Sequence, residues 1–272
     1  MFVVILPPTT GIGRVDLSIE SSATVLDFYR SVIGLRTVAD EPRWIDLGVD
    51  GQPLIRLLER PELGPRPPEA AGLFHLAIRV PTNDALASVA RRMVDADRLA
   101  GASDHGVSEA LYGRDPVGNG VEVYVDRPRA QWPTTNGGVD MTTQPLDLDS
   151  LLTGDGRRDE LPPESDMGHI HLEVTDLEKS ASFYIDELGF TERDRRRGAR
   201  FVAAGDYHHH IGFNTWGGRS EPASGVGLKG FIIEVPTRRA LKAVARHTDE
   251  TIDEGELVLQ DPDGIVIRFR QR

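Results

Sequence analysis

The chain has 272 residues, of which 39% are hydrophobic and 27% charged, a balance typical of a globular protein. Its formal net charge of −12 argues against binding to nucleic acid or to an anionic membrane, because both require a basic surface. There is no cysteine, so any metal ion must be held by histidine, aspartate or glutamate.

The chain begins with the apolar stretch MFVVILPPTTG, which Pro7 and Pro8 interrupt. Such a segment is too short to be a secretory signal or a membrane-spanning helix. We therefore expect a cytoplasmic protein, and homo-oligomerisation is left open.

Two separate stretches of the chain repeat at one offset. GRVDLSIESSATVLDFYRSVIGL (13–35) aligns without a gap with GHIHLEVTDLEKSASFYIDELGF (168–190). LFHLAIRVPTNDALASVARR (73–92) aligns in the same way with LKGFIIEVPTRRALKAVARH (228–247). The offset is 168 − 13 = 155 for the first pair and 228 − 73 = 155 for the second. The sequence therefore contains an internal duplication.

Each repeated stretch has one internal pattern. An alternating strand precedes an amphipathic helix, and further strands follow. The aromatic pairs of the helices, Phe28-Tyr29 and Phe183-Tyr184, are expected on the core face. The sequence therefore predicts an α+β fold built from four βαβββ units, which are 12–60, 73–127, 168–216 and 228–270.

These units predict two domains, residues 11–127 and 168–272. Residues 128–167 are rich in Pro, Gly and Thr and predict a connector with one short helix near 146–152.

The motifs of the units resemble those of a known superfamily. The last strands of the second and fourth units follow DPVGNG (115–120) and DPDG (261–264), and DLEKSASFY (176–184) opens a helix. These features resemble the vicinal oxygen chelate superfamily, which includes glyoxalase I, bleomycin- and fosfomycin-resistance proteins and extradiol dioxygenases. GDYHHHIGFNTW (205–216) and SDHGVSEALY (103–112) resemble the catechol 2,3-dioxygenase-type subgroup, which has four units. The resemblance implies paired units that form two cupped half-barrels with a divalent metal inside a cup.

The resemblance also implies a set of metal ligands. His169 and His75 open the first strands of their units, and Glu122 lies in the last strand of the second unit. We predict that His169, His209 and Glu122 hold the metal, and that His75 is a fourth ligand or lies behind the ligands. His209 follows from the resemblance, whereas strict alternation along a strand through 205–216 favours His210.

The fourth unit has Arg268 where the second has Glu122, and a guanidinium cannot bind a cation. Pairing the units as 1+2 and 3+4 would leave both cups incomplete. Pairing them as 2+3 and 1+4 collects every usable ligand in one cup and leaves Arg14 and Arg268 in the other. We predict the second arrangement, with a structural role for the other cup.

Two histidines and one carboxylate leave open positions on Fe(II), or on Mn(II), for an aromatic diol and O2. If His75 is a fourth ligand, Zn or Ni and a glyoxalase-like isomerase or lyase are expected instead. A non-catalytic small-molecule-binding protein of the resistance type is the remaining alternative.

Tyr112 and His105 resemble the tyrosine and the acid–base histidine of extradiol enzymes, and imidazole suits proton transfer near neutral pH. His171 shares the strand face of His169 and is a candidate substrate contact. The sequence thus predicts a metal-dependent extradiol dioxygenase that cleaves a catechol-like ring in aromatic hydrocarbon catabolism.

Overall fold

The computed structural model describes residues 6–135, 138–153 and 157–272. The first five residues of the apolar start, and residues 136–137 and 154–156 of the predicted connector, lie outside the described residues. Within the described ranges, the helices are too short or too polar to cross a membrane.

The first half of the chain forms two units, each with one helical region and four strands. The first unit comprises β1 (Gly11–Ile19), α1 (Ser22–Asp27) with a π-helical continuation (Phe28–Ile33), β2 (Arg36–Glu41), β3 (Trp44–Val49) and β4 (Gln52–Glu59). A 3-10 turn, Pro61–Leu63, leads to the second unit. That unit comprises β5 (Gly72–Arg79), α2 (Asn83–Asp95), β6 (Leu99–Asp104), β7 (Ser108–Arg114) and β8 (Gly120–Asp126).

The described part of the connector contains short elements: a 3-10 turn (Arg129–Gln131), β9 (Thr134–Thr135), β10 (Gly138–Val139), β11 (Gln144–Pro145) and α3 (Leu148–Leu152). The predicted short helix is therefore confirmed. The division into domains 11–127 and 168–272 stays a prediction.

The second half repeats the same plan. The third unit comprises β12 (Asp166–Glu173), α4 (Leu177–Ala181) with a π-helical continuation (Ser182–Glu187), β13 (Thr191–Arg196), β14 (Ala199–Ala203) and β15 (Ile211–Asn214). The fourth comprises β16 (Gly227–Val235), α5 (Arg238–Thr248), β17 (Ile252–Asp253), β18 (Glu256–Gln260) and β19 (Val266–Gln271).

The strands form two large sheets, each built from two units. One has the order β11-β6-β7-β8-β5-β12-β15-β14-β13, and the other β17-β18-β19-β16-β1-β4-β3-β2. The second and third units thus share one sheet, and the first and fourth share the other. The predicted 2+3 and 1+4 pairing is confirmed, because the first strands of the paired units lie antiparallel to each other.

The aromatic pairs of the two π-helical segments are buried, as predicted. Their tyrosines also join the two sheets. The Tyr29 hydroxyl donates to Asp115 at 3.0 Å, and the Tyr184 hydroxyl donates to Asp261 at 3.0 Å. Each hydrogen bond links a helix packed on one sheet to the Asp-Pro turn of the other.

The three consecutive histidines do not lie in a strand, contrary to prediction. Strand β15 begins only at Ile211, and the chain turns at Gly205, whose φ of 66° suits glycine. Side-chain alternation therefore does not apply to His208, His209 and His210. Alternation therefore no longer favours His210 over His209 as a residue of the site.

The cup of the first and fourth units is filled with paired charges. Arg14 Nε lies 2.7 Å from Asp16 Oδ1, and Arg268 Nη1 lies 3.7 Å from the other oxygen of Asp16. Arg56 donates twice to Asp46. These residues carry both signs of charge and pair with one another, so they do not form a set of cation ligands.

We expect the Tyr184→Phe substitution to lower the free energy of unfolding by about 1–3 kcal/mol, because it leaves a buried oxygen of Asp261 without its donor. Urea denaturation measures this. As a control, the same substitution in an Asp261→Asn background is expected to cost less, because the charged acceptor has gone. Equal costs in both backgrounds would contradict the proposed link between the sheets.

Candidate metal centre and substrate pocket

Three buried side chains from neighbouring strands converge in the nine-stranded sheet. His75 of β5, Glu122 of β8 and His169 of β12 each offer a ligand atom, and these atoms lie within 4.8 Å of one another. Glu122 Oε2 is 3.0 Å from His75 Nε2 and 3.2 Å from His169 Nε2. Ligand atoms bonded at about 2.0–2.2 Å to one ion lie roughly 3 Å apart, so these separations suit a shared metal.

The strand register explains the convergence. Ala77 of β5 lies opposite Glu122 on one side and opposite His169 on the other. The two long side chains therefore stand two strands apart, about 10 Å at the backbone. Because Ala77 is small, they can meet above it, and His75, two residues earlier on the same face, completes the group.

The electrostatics of this group favour a bound cation. The charge and hydrogen-bond contacts with His169 and His75 hold the pKa of Glu122 well below its usual range, although burial alone would raise it. Burial lowers the pKa of His169 to about 4 despite the opposing effect of Glu122. At neutral pH the group thus contains an ionised carboxylate beside a neutral imidazole, a donor set suited to a divalent ion. The residues present fit the metal that the sequence implies.

The group lies at a cavity of about 420 Å³. Its wall includes Phe74, His171, Phe201 and Trp216, and on the opposite side Met141 and neighbouring connector residues. The connector reaches this position because β11 pairs with β6, next to His105. Residues 141–143 therefore form part of the pocket although they belong to no repeated unit.

His209 lines the pocket beside the group of three rather than within it. Its ring centroid lies 4.1 Å from that of His169, and its Nδ1 is 2.8 Å from His208 Nδ1. His208 Nε2 in turn lies 3.1 Å from Asp126 Oδ1. The carboxylate can only accept, so His208 donates from Nε2; in its neutral form it then accepts at Nδ1, and His209 donates from its own Nδ1. This assignment leaves His209 Nε2 as a free proton acceptor.

Two further histidines of the predicted site, His210 and His171, have separate surroundings. His210 lies against the ring of Tyr207, and its Nδ1 accepts a hydrogen bond from the Ala204 amide at 3.2 Å. His171 lies on the pocket wall, with its ring centroid 5.0 Å from that of His75, and its role as a substrate contact stays a prediction.

Tyr112 and His105 form a hydrogen-bonded pair on the other side of the group. His105 Nδ1 donates to the Thr142 carbonyl at 2.7 Å, which leaves Nε2 to accept from the Tyr112 hydroxyl at 2.8 Å. Burial, and then the nearby charge of Glu122, raise the pKa of Tyr112 well above its ordinary value. The phenol is therefore protonated and positioned between His105 and the carboxylate.

Three residues at the pocket, or next to it, were not predicted from the sequence: Asp126, Phe74 and Trp216. Asp126 follows Glu122 by four residues on β8, so strand alternation could have placed it on the face of the ligand. Phe74 directly precedes His75, and Trp216 ends the histidine motif, but neither has a sequence signal that separates a pocket wall from a core contact.

Comparison with known proteins places the chain in a family. The model of the Glyoxalase/Bleomycin resistance protein/Dioxygenase superfamily matches residues 11–123 and 166–269. The chain belongs to this superfamily. It is also 39% identical over 276 aligned residues to the catechol-2,3-dioxygenase of Bacillus subtilis (strain 168). The alignment covers 96% of this chain and 97% of that protein. The predicted superfamily, fold and enzyme class, a metal-dependent dioxygenase, are confirmed by these relationships.

Solved structures show the same fold. Glyoxalase I from Zea mays superposes with a TM-score of 0.58 at 14% identity, covering 96% of this chain and 92% of that chain. The cppA protein from Streptococcus pneumoniae TIGR4 gives 0.57 at 13% identity, with 96% and 99% covered. At these identities the likeness concerns the fold alone.

We expect the metal-free protein to bind one divalent cation per chain. His75→Ala and Glu122→Gln should each weaken binding by roughly 100-fold or more, because each removes one of three donors. Titration with Fe(II) under anaerobic conditions, followed by elemental analysis, measures this. His209→Ala should retain the ion, and His247→Ala, on α5, serves as the histidine control. Loss of the ion in His209→Ala with retention in His75→Ala would restore the ligand set inferred from sequence.

Proposed function

We propose that the protein is an Fe(II)-dependent extradiol dioxygenase that cleaves a catechol-like ring next to its hydroxyl groups with O2. The observation that carries this proposal is the group of His75, Glu122 and His169 at an aromatic-lined pocket. When bound, Fe(II) would supply open positions for the two oxygens of a catecholate and for O2. The identity to a catechol-2,3-dioxygenase supports the same reaction. A cytoplasmic role in the breakdown of aromatic compounds is part of this proposal.

We assign the metal to His75, Glu122 and His169, so His75 replaces His209 in the set inferred from sequence. The support is the short contact of each imidazole with one oxygen of Glu122. His209 Nδ1 is hydrogen-bonded to His208, and His209 Nε2 is left to accept a proton from a molecule in the pocket. A ligand role is therefore less suited to it than a proton-accepting one.

Ring cleavage requires that the hydroxyl protons of the catechol be accepted, and two acceptors face the pocket. The first is His209 Nε2, left free by the Asp126–His208–His209 chain. The second is the Tyr112–His105 pair, in which the tyrosine oxygen accepts from the substrate while its own proton is donated to His105 Nε2. A proton held at either histidine can later return to the opened ring.

Both alternative functions, an isomerase and a metal-free binding protein, have less support than the dioxygenase. An isomerase of the glyoxalase type was expected if four residues bind the metal, whereas the described residues group three. A metal-free binding protein has no use for a buried, ionised Glu122 beside two imidazoles, since burying that charge costs free energy unless a cation pairs with it.

The test of this proposal is oxygen uptake by the Fe(II)-loaded protein with catechol. One O2 should be consumed per catechol, and with ¹⁸O2 both labelled atoms should appear in a single ring-opened product, as shown by mass spectrometry. Glu122→Gln should abolish uptake. A folded, iron-loaded protein that consumes no O2 with any catechol would refute the oxygenase assignment.

We expect Asp126→Asn to lower kcat by roughly 100-fold with little change in KM. An asparagine amide can donate to His208 Nε2, which reverses the chain of hydrogen bonds and places a proton on His209 Nε2. Steady-state kinetics in oxygen-saturated buffer measure this effect.

Asp166→Asn is the matched control, because Asp166 also pairs with Arg79 but lies outside the His208 contact. It should change kcat by less than about threefold. Equal losses of kcat in both variants would show that Asp126 acts through its ion pair with Arg79 and not through His208 and His209.

A further inference from the structure

The pocket is larger than the ring that the metal site would bind. A cavity of about 150 Å³ accommodates one benzene ring, whereas this cavity has about 420 Å³. A catechol on the metal would therefore occupy less than half of the space. The remainder is available for a substituent on the ring, and its lining decides which substituents fit.

The outer part of the cavity has an aromatic wall that continues from the metal group. The ring of Phe74 lies 5.3 Å from that of His75 and 5.7 Å from that of Trp216, between centroids. Phe201 extends this wall on the other side of His171, at 5.5 Å. Tilted and edge-to-face pairs at these centroid distances are typical of packed aromatic surfaces, which favour a further ring.

Trp216 lies at the solvent side of this wall and is held in place. It is 53% exposed, although its indole Nε1 donates to the Arg197 carbonyl at 3.1 Å and its amide donates to Asn214 Oδ1 at 3.0 Å. A large apolar side chain fixed by hydrogen bonds, with half its surface in water, is available to cover a bound molecule.

The lining has little capacity for a negatively charged substituent. Its one Lys or Arg among the described residues is Arg196, whose Nε donates to Asp194 at 2.8 Å and whose Nη2 donates to the Met141 carbonyl. A carboxylate in the outer cavity would lose its hydration without gaining an unpaired cation, because this guanidinium is already paired with Asp194.

We propose that the substrate is an uncharged catechol carrying a second aromatic ring or an apolar group of similar size. Phe74 and Trp216 determine this specificity by packing against that group. The inference rests on the proposed ring-cleaving function for the position of the diol, but it concerns the part of the cavity beyond the metal.

The test compares three diols with the anaerobic Fe(II)-loaded protein by calorimetry: catechol, a catechol with a phenyl group beside one hydroxyl, and a catechol with a carboxylate. The phenyl compound should bind at least about 10-fold more tightly than catechol, and the carboxylate at least about 10-fold more weakly. The ratios of kcat/KM from oxygen uptake should follow the same order.

Trp216→Ala should reduce the preference for the phenyl compound over catechol by roughly fivefold or more. Trp44→Ala is the matched control, since Trp44 stacks on Arg56 in the other sheet, and it should leave that ratio unchanged.

The outcomes separate this inference from the function on which it rests. If all three diols are cleaved with equal kcat/KM, the function stands and the specificity inference is wrong. If the phenyl compound binds tightly in a manner dependent on Trp216 but no O2 is consumed, the pocket assignment stands and the oxygenase function is wrong. Tighter binding of the carboxylate than of the phenyl compound would overturn the inference outright.

Discussion

The antiparallel pairing of β5 with β12 is the constraint on which the rest of the site depends. It places the second and third units in one sheet and aligns His169 with Ala77 and His171 with His75. Because side chains alternate, a shift of this register by one residue would turn the histidines of one strand to the opposite face. The metal group needs this alignment together with the pairing of β5 with β8, which places Glu122 opposite Ala77.

That alignment concentrates polar groups where a sheet is otherwise apolar, and the surrounding residues offset the cost. Glu122 is the only acid of the metal group, and a ring of hydrogen-bonded side chains lies behind it. Tyr124 and Tyr207 share a hydrogen bond of 2.7 Å, and Tyr207 also donates to Asp126. Contacts with His208 and Arg79 lower the pKa of Asp126, although burial alone would raise it. This supporting layer orients His208 and, through it, the ring of His209.

The two cups show how one scaffold gives two outcomes. The duplicated strands β1 and β12 are equivalent in the repeat, yet β1 carries Arg14 and Asp16 where β12 carries His169 and His171. Ion pairs fill the first cup, and imidazoles line the second. The cup with paired charges supports the fold through its own strands and through the Tyr184–Asp261 hydrogen bond, and leaves the chemistry to the other.

The sequence by itself determined the four units, their shared fold and most members of the site, since the repeat offset and strand motifs are local patterns. His75, Glu122, His169, Tyr112 and His105 were all recognised as candidates because the motifs around them resemble those of the superfamily. The pairing of units could be argued from Arg268 alone, because an arginine cannot replace a ligand carboxylate. Only the tertiary structure decided the positions of the histidines, with His75 rather than His209 beside Glu122, because the turn at Gly205 ends the alternation that sequence reasoning assumed. It also brought Asp126, Phe74 and Trp216 to the site, since contacts between strands distant in sequence depend on register and not on any local pattern.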